Sequence, residues 1–153
     1  KEEIGKNDDK RPDFGPNHIH PTAGATAVGA RFFLIAFNVN LSTDDISIAK
    51  SIAKAVRHSS GGYRYVKAMG FEIKERGIVQ VSMNMVNYKG TPLFRVFETI
   101  KREAERYGVS IVGSEIVGLI PMEALIDVAD FYLRLENFDE NQVLEKRLLE
   151  QIK

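Results

Sequence analysis

VQVSMNMVNY, residues 79–88, alternates between apolar and polar side chains, which is the pattern of a β-strand with one buried face. The odd positions supply the apolar face, which consists of Val79, Val81, Met83 and Met85. The even positions supply a row of uncharged polar side chains, namely Gln80, Ser82 and Asn84. Amides donate and accept hydrogen bonds without adding charge, so this row is suited to the edge of a bound heterocycle. The alternative is a plain solvent face, or a register one residue off, which would exchange the two faces.

The flanking sequence predicts three more strands. The first is RFFLIAFNVNL, residues 31–41, and the last is SIVGSEIVGLI, residues 110–120. Residues 66–77 form the second, and a hairpin turn at 75–77 leads from it into the opening stretch. The side chains of this second strand that we expect to point into the core are Met69, Phe71 and Ile73.

Apolar residues at helical spacing predict two helices between these strands and two after them. Ser42 and Asp45 predict a capping-box-like start for the first, which ends near Ser60, before two glycines. The second is capped by Thr91, with a proline at its first position. A third helix opens at Pro121, and a charged helix at about 139–152 closes the chain.

The resulting order, β-α-β-β-α-β with extra C-terminal helices, predicts an α+β fold of the ferredoxin-like type. In its strand order 4-1-3-2, we expect strands one and three to be parallel neighbours at the centre, with both helices on one face. The other face is then open, and we expect an apolar floor at its centre from Phe32, Leu34 and Ala36. Polar groups would edge this floor and line a groove, namely Asn38, Asn40, Gln80, Ser82, Asn84 and Glu115.

Composition narrows the function classes. The chain has 153 residues, with 21 basic and 21 acidic side chains. A formal net charge of zero argues against broad capture of nucleic acid, and no apolar run approaches the ~18 residues of a membrane helix. No cysteine is present, which fits a reducing compartment, so we expect a cytoplasmic protein with no membrane partner. The charged start, without an initiator Met, suggests an excised piece, and we expect residues 1–11 to be a flexible tail or cut linker.

Four stretches together resemble one known family. They are PDFGP at 12–16, GATAVGARFFLIAFNVNL at 24–41, QVSMN at 80–84 and VGSEIVGLIPMEALID at 112–127. They resemble, in the same order and over roughly residues 12–135, the C-terminal subdomain of glutamate formimidoyltransferases, which also form the N-terminal part of formimidoyltransferase-cyclodeaminases. The resemblance implies a transferase of one-carbon metabolism. Its reaction moves the formimino group of N-formimino-L-glutamate to N5 of tetrahydrofolate, the co-substrate, in histidine breakdown.

The resemblance also assigns a folate-binding loop within residues 12–30, ahead of the ferredoxin-like subdomain at 31–153. Three prolines and three glycines in the run 11–31 rule out a regular helix there. The matching positions are Gly15, Pro16, Asn17, His18, Ile19, His20, Pro21, Thr22, Ala23 and Gly24. The match is close at both prolines and both glycines, and it departs from the family at Asn17, His18, Ile19, His20 and Ala23.

The family's proposed general base is a histidine of an N-terminal subdomain that this chain does not contain. The resemblance therefore implies no catalytic residue in this chain and no transferase activity by the chain alone. It implies that the partners are folate, N-formimino-L-glutamate and the missing N-terminal subdomain.

Several single residues have two interpretations at this point. Arg64 and Lys67 either meet the glutamate tail of folate by charge pairing or form a solvated strand end. Glu115 either accepts a hydrogen bond from the pterin amino group or pairs with Arg31. His18 and His20 have the spacing of metal ligands but no clear third ligand, so we expect no metal.

Two other function classes are alternatives. An RNA-binding module of the same fold needs aromatic residues on strand three, and residues 79–85 have none. A noncatalytic ligand-sensing or dimerisation module, with two chains pairing through their open sheets as a homodimer, is compatible with the sequence.

Overall fold

A four-stranded antiparallel sheet organises the chain. The computed structural model describes residue 4 and residues 7–151. These fall into two compact units, Lys1–Ala30 and Arg31–Lys153, and the sheet belongs to the second unit. Its strands are β1 (Ile35–Leu41), β2 (Val66–Ile73), β3 (Ile78–Met85) and β4 (Ile111–Val117).

The strand order is β2-β3-β1-β4, which confirms the predicted ferredoxin-like arrangement. The expectation that β1 and β3 run parallel is wrong, because all three strand pairs are antiparallel. A helical crossover returns the chain to the direction of the strand it left, so β1 and β2 run the same way. A hairpin then turns β3 back between them, and β3 therefore opposes both neighbours.

Two helices cover one face of the sheet. They are α1 (Ile46–Val56) and α2 (Leu93–Arg106), and their buried residues repeat at helical spacing. The cap of α1 is Asp45 itself, and not a box that begins at Ser42: its carboxylate accepts from the amide of Ser47 at 2.8 Å. Hydrogen bonds from the side chain and then the amide of Ser47 lower the pKa of Asp45. The helix ends at Val56, earlier than the predicted Ser60.

The prediction that Thr91 caps α2 is wrong. Pro92 occupies the cap position, and no side chain caps the helix there. Thr91 is instead buried, and its amide donates to the carbonyl of Asn87 at 3.1 Å in the turn that leads into the helix. The helix therefore begins one residue later than the sequence suggested.

The core lies between the helices and the inner face of the sheet. The odd positions of β3 are 0 to 2% exposed, so the alternation that predicted its buried face is confirmed. The prediction for β2 is wrong by one residue: Val66 and Ala68 point inward, whereas Met69 is 60% and Phe71 46% exposed. The reason lies at Gly70, where a Cβ would stand 2.7 Å from the backbone nitrogen of Lys50. The absence of a side chain there lets β2 lie against α1.

Two C-terminal helices follow β4, and the first of them packs against α2. They are α3 (Met122–Leu133) and α4 (Leu144–Gln151), and a 3-10 turn at Glu140–Gln142 lies between them. Phe131 of α3 stacks on Phe94 of α2 with ring centroids 4.2 Å apart. In the part of the chain that the structure describes, no helix has the length and apolar character needed to cross a membrane.

Candidate functional site

The open face of the sheet is ordered in rows that cross all four strands. One row runs from Met69 through Ser82 and Asn38 to Glu115. A second row, on one side of the first, consists of Phe71, Gln80, Asn40 and Gly113. A third row, on the other side of the first, consists of Lys67, Asn84, Ala36 and Val117. Antiparallel pairing places partners of one row on the same face, so the six predicted polar residues of the groove do lie together.

Glu115 is the centre of a hydrogen-bond network on this face. Asn38 donates its Nδ2 to Oε1 of Glu115 at 2.8 Å, and Gln80 donates its Nε2 to the same oxygen at 2.9 Å. Gln80 also donates to Oδ1 of Asn40 at 2.9 Å. Among the described residues nothing donates to Oε2 of Glu115. One carboxylate oxygen is therefore fixed by the protein, and the other is available to a ligand.

This network also favours the ionised form of Glu115. The hydrogen bonds from Asn38 and then Gln80 lower the pKa of Glu115, and the positive charge of Arg76 adds a smaller effect in the same direction. Donors that bind the ionised form favour it. Glu115 is accordingly a carboxylate at neutral pH, although Asn40 and Gln80 beside it are only 5% and 8% exposed. Gln80 of the opening stretch and Asn38 of β1 thus orient a charged acceptor.

The structure excludes one of the alternatives for this face and contradicts one prediction. Glu115 does not pair with Arg31, whose guanidinium donates to the carbonyl of Phe32 at 3.1 Å. The centre of the face is polar, not apolar, because β1 begins at Ile35 and Phe32 and Leu34 precede it. The large apolar side chains of this face lie instead at its two outer edges, where Met69 and Phe71 of β2 and Val117 of β4 are exposed.

Arg64 and Lys67 line a cavity of about 540 Å³ at the outer edge of β2. Ser82 and Asn84 border the same cavity from the floor of the open face. Sequence reasoning missed Arg57 and His58, which also line it. A signal was present, since these two residues precede the Gly61-Gly62 turn that Arg64 follows, and a bridge between Arg57 and Tyr63 closes that turn.

The loop at 15–24 belongs to the first unit and is built from tight turns. Gly15 and Gly24 have φ of 94° and 74°, a conformation that glycine adopts without strain. The amide of His18 donates to the carbonyl of Pro16 at 2.8 Å, and the amide of Gly24 donates to the carbonyl of His20 at 3.0 Å. Both glycines of the predicted folate-binding loop therefore lie where the backbone favours glycine.

The two loop histidines differ in their bonding. Nδ1 of His20 accepts from the amides of Thr22 and Ala23 at 3.3 and 3.0 Å, which stabilises the turn. His18 makes no side-chain hydrogen bond among the described residues. Within the same part of the chain, no group of three or more His, Asp or Glu side chains is arranged to hold a metal ion.

Comparison with known proteins identifies relatives over nearly the whole chain. The family model of the formiminotransferase domain matches residues 36–151. The glutamate formimidoyltransferase of Streptococcus pyogenes serotype M1 is 59% identical over 143 residues, which are 93% of this chain and 48% of that protein. The glutamate formimidoyltransferase of Thermoplasma acidophilum is 51% identical over 148 residues, 97% of this chain and 48% of that protein.

A longer type of relative matches as well. The formimidoyltransferase-cyclodeaminase of Sus scrofa is 40% identical over 142 residues, 86% of this chain and 26% of that protein. The chain spans about half of the length of the two glutamate formimidoyltransferases and about a quarter of this longer protein.

Proposed function

This chain belongs to the formiminotransferase family, and we propose that it is the folate-binding subdomain of a glutamate formimidoyltransferase. The reaction transfers the formimino group of N-formimino-L-glutamate to N5 of tetrahydrofolate in histidine breakdown. A bond forms between N5 and the formimino carbon, the bond from that carbon to the glutamate nitrogen breaks, and a proton passes from N5 to the departing amine. This chain supplies the surface that holds the reduced folate during that exchange.

The observation that supports the proposal is the carboxylate of Glu115, which accepts hydrogen bonds from two amide side chains at one of its oxygens only. Two amides hold Oε1, and Oε2 is left as an acceptor. The 2-amino group of a pterin is a matching donor, because an ionised carboxylate forms stronger hydrogen bonds than a neutral acceptor. A binding site with a few fixed polar groups beside apolar side chains is typical of small-molecule recognition.

The loop at 15–24 is proposed to contact folate through its backbone. Its tight turns leave most side chains exposed, and its positive-φ glycines carry no Cβ to block a ligand. Backbone contacts tolerate the departures from the family at Asn17, His18, Ile19, His20 and Ala23, because those changes alter only side chains. His20 strengthens the argument, since it stabilises the turn from within.

Titration calorimetry with 5-formyl-tetrahydrofolate, a stable analogue of the product, tests the proposal. We expect saturable binding by the chain and about tenfold weaker binding by Glu115→Gln, since a hydrogen bond to a charged group contributes about 1.5 kcal/mol or more. The double change Ser82→Ala, Asn84→Ala should also weaken binding, because it removes two polar side chains from the open face of the sheet.

The matched control is Glu72→Gln, which removes an exposed carboxylate of β2 that makes no hydrogen bond to any described residue. It should bind like the unmodified chain. Equal affinity of Glu115→Gln and Glu72→Gln would contradict the role of Glu115. Absence of binding even after addition of the N-terminal half of a relative would contradict the proposed function as a whole.

The exposed apolar edge of the sheet favours one second candidate, a noncatalytic ligand-sensing or dimerisation module. Met69 and Phe71 are 60% and 46% exposed on β2, and two chains could cover these side chains by pairing their open faces into a homodimer. Analytical ultracentrifugation separates the two candidates. A concentration-dependent dimer that binds no reduced folate would favour this second function.

A further inference from the structure

Four basic side chains line the cavity at the outer edge of β2. Arg57 and His58 come from the turn after α1, whereas Arg64 and Lys67 lie at the start of β2. No Asp or Glu among the described residues lines this cavity. The chain as a whole has as many acidic as basic side chains, so the cavity is a local concentration of positive charge in a neutral protein.

The protein orients the two arginines of this cavity without neutralising them. Among the described residues, neither arginine nor Lys67 has a carboxylate partner, although five other basic side chains form ion pairs. Nε of Arg57 donates to Oγ of Ser60 at 2.7 Å. The guanidinium carbon of Arg64 lies 5.4 Å from the centre of the Tyr65 ring, within the range of a cation–π contact. Two guanidinium groups are thus held in place with N–H donors free for an anion, and their fork geometry matches a carboxylate.

The cavity lies across the sheet from Glu115. The row that contains Glu115 passes through Asn38 and Ser82 to Met69, which lines the cavity. Three interstrand spacings of the sheet amount to about 14 Å. The pteridine and aminobenzoyl parts of a folate are of similar length together. A folate with its pterin at Glu115 would therefore extend its glutamyl end toward the cavity.

We infer that this cavity is a subsite for the two carboxylates of a glutamyl group. Arg57 and Arg64 bind the carboxylates, Lys67 and His58 add donors, and the exposed side chains of Met69 and Phe71 contact the methylene groups. The inference rests on the proposed function, because the family's relatives are named as acting on glutamate. The glutamyl group has two sources, the glutamate of the folate itself and the N-formimino-L-glutamate donor.

Calorimetric titration of the chain with three ligands tests the subsite. The ligands are 5-formyl-tetrahydrofolate, 5-formyl-tetrahydropteroate, which lacks the glutamate, and N-formimino-L-glutamate. The variants Arg57→Gln and Arg64→Gln should each weaken binding of a glutamyl ligand by about fivefold, as expected for a partly exposed charge pair. Neither variant should change binding of the pteroate. The matched control is Lys101→Gln, which removes an exposed positive charge on α2 outside the cavity.

The ligand that responds identifies the source of the glutamyl group. An effect on 5-formyl-tetrahydrofolate alone assigns the cavity to the folate glutamate, and an effect on N-formimino-L-glutamate alone assigns it to the donor. The subsite is overturned if both arginine variants bind every glutamyl ligand as Lys101→Gln does, or if no glutamyl ligand binds. Failure of the proposed function would give a different result, because the pteroate would not bind. The subsite would still be supported in that case if the arginine variants lost binding of N-formimino-L-glutamate.

Discussion

Glu115 lies on the open face of the sheet, where neighbouring side chains favour its ionised form. Its neighbours Asn38 and Gln80 lower the pKa of its carboxyl group from the usual 4.5 in the folded chain. A carboxyl group whose pKa is lowered by folding stabilises the fold above its unfolded pKa. That stabilisation is lost as the pH falls through the folded pKa.

The resulting prediction concerns Glu115→Gln, which removes the titrating group. The difference in free energy of unfolding between the chain and this variant should be constant from pH 7 down to about pH 5. It should then change toward a second plateau as the pH falls below the usual value of 4.5. Urea denaturation followed by circular dichroism across pH 3–7 measures this. Lys101→Gln controls for a change of charge, since lysine does not titrate in this range. A difference that does not vary with pH would contradict the assigned network.

Single positions show what the sequence could and could not predict about the site. The polar residues of β3 were found from alternation alone, because a strand has a period of two. The pairing of Glu115 with Asn38 and Gln80 was not predictable in this way, since it joins residues 77 and 35 positions apart in sequence. Arg57 and His58 were missed because they lie in a turn, where no periodicity marks the direction of a side chain.

The elements show a different kind of error, which arises at β2. Met69, Phe71 and Ile73 are the larger apolar residues of that strand, and hydrophobicity alone assigned them to the core. The contact with α1 requires small side chains, so the inward positions are taken by Ala68 and Gly70. Close approach of backbones decided the register of this strand, whereas burial of apolar surface decided that of β3.

A substitution at Gly70 tests this account of β2. In Gly70→Ala the new Cβ would stand 2.7 Å from the backbone nitrogen of Lys50 and 2.8 Å from the carbonyl carbon of Ala49, so strand and helix must separate. We expect a loss of about 1–3 kcal/mol in the free energy of unfolding, the usual cost of overpacking. Urea denaturation of the purified variant measures the loss.

Gly113→Ala is the matched control for this experiment. Gly113 also lies within a strand, β4, but no atom lies within 4 Å of a Cβ added there. This variant should keep the stability of the chain or gain slightly, because alanine restricts the unfolded state. Equal losses in the two variants would mean that glycine matters in both strands for some other reason than the contact with α1.

For the whole molecule, the fold class and strand order followed from the sequence, whereas the direction of the central pair did not. The alternation of strands and helices identifies a split β-α-β unit, and each crossover then fixes which strands are neighbours. The direction of β3 follows only when the hairpin at 74–77 is considered together with the crossover through α1. The loop at 12–30 lies in a separate unit from the sheet. The sequence could therefore predict only the local turns of this loop.

Two related glutamate formimidoyltransferases are about twice as long as this chain. The chain covers 48% of each of two related glutamate formimidoyltransferases, and proton transfer at N5 needs a base with a pKa near neutrality. Glu115 does not qualify, because its neighbours lower its pKa. We therefore expect no transfer of the formimino group by the purified chain, measured as formation of 5-formimino-tetrahydrofolate. Addition of the separately purified N-terminal half of the Streptococcus pyogenes relative should produce turnover. When the chain in this mixture carries Glu115→Gln, the rate of turnover at low folate concentration should be lower. Turnover by the chain alone would show that its own residues supply the base.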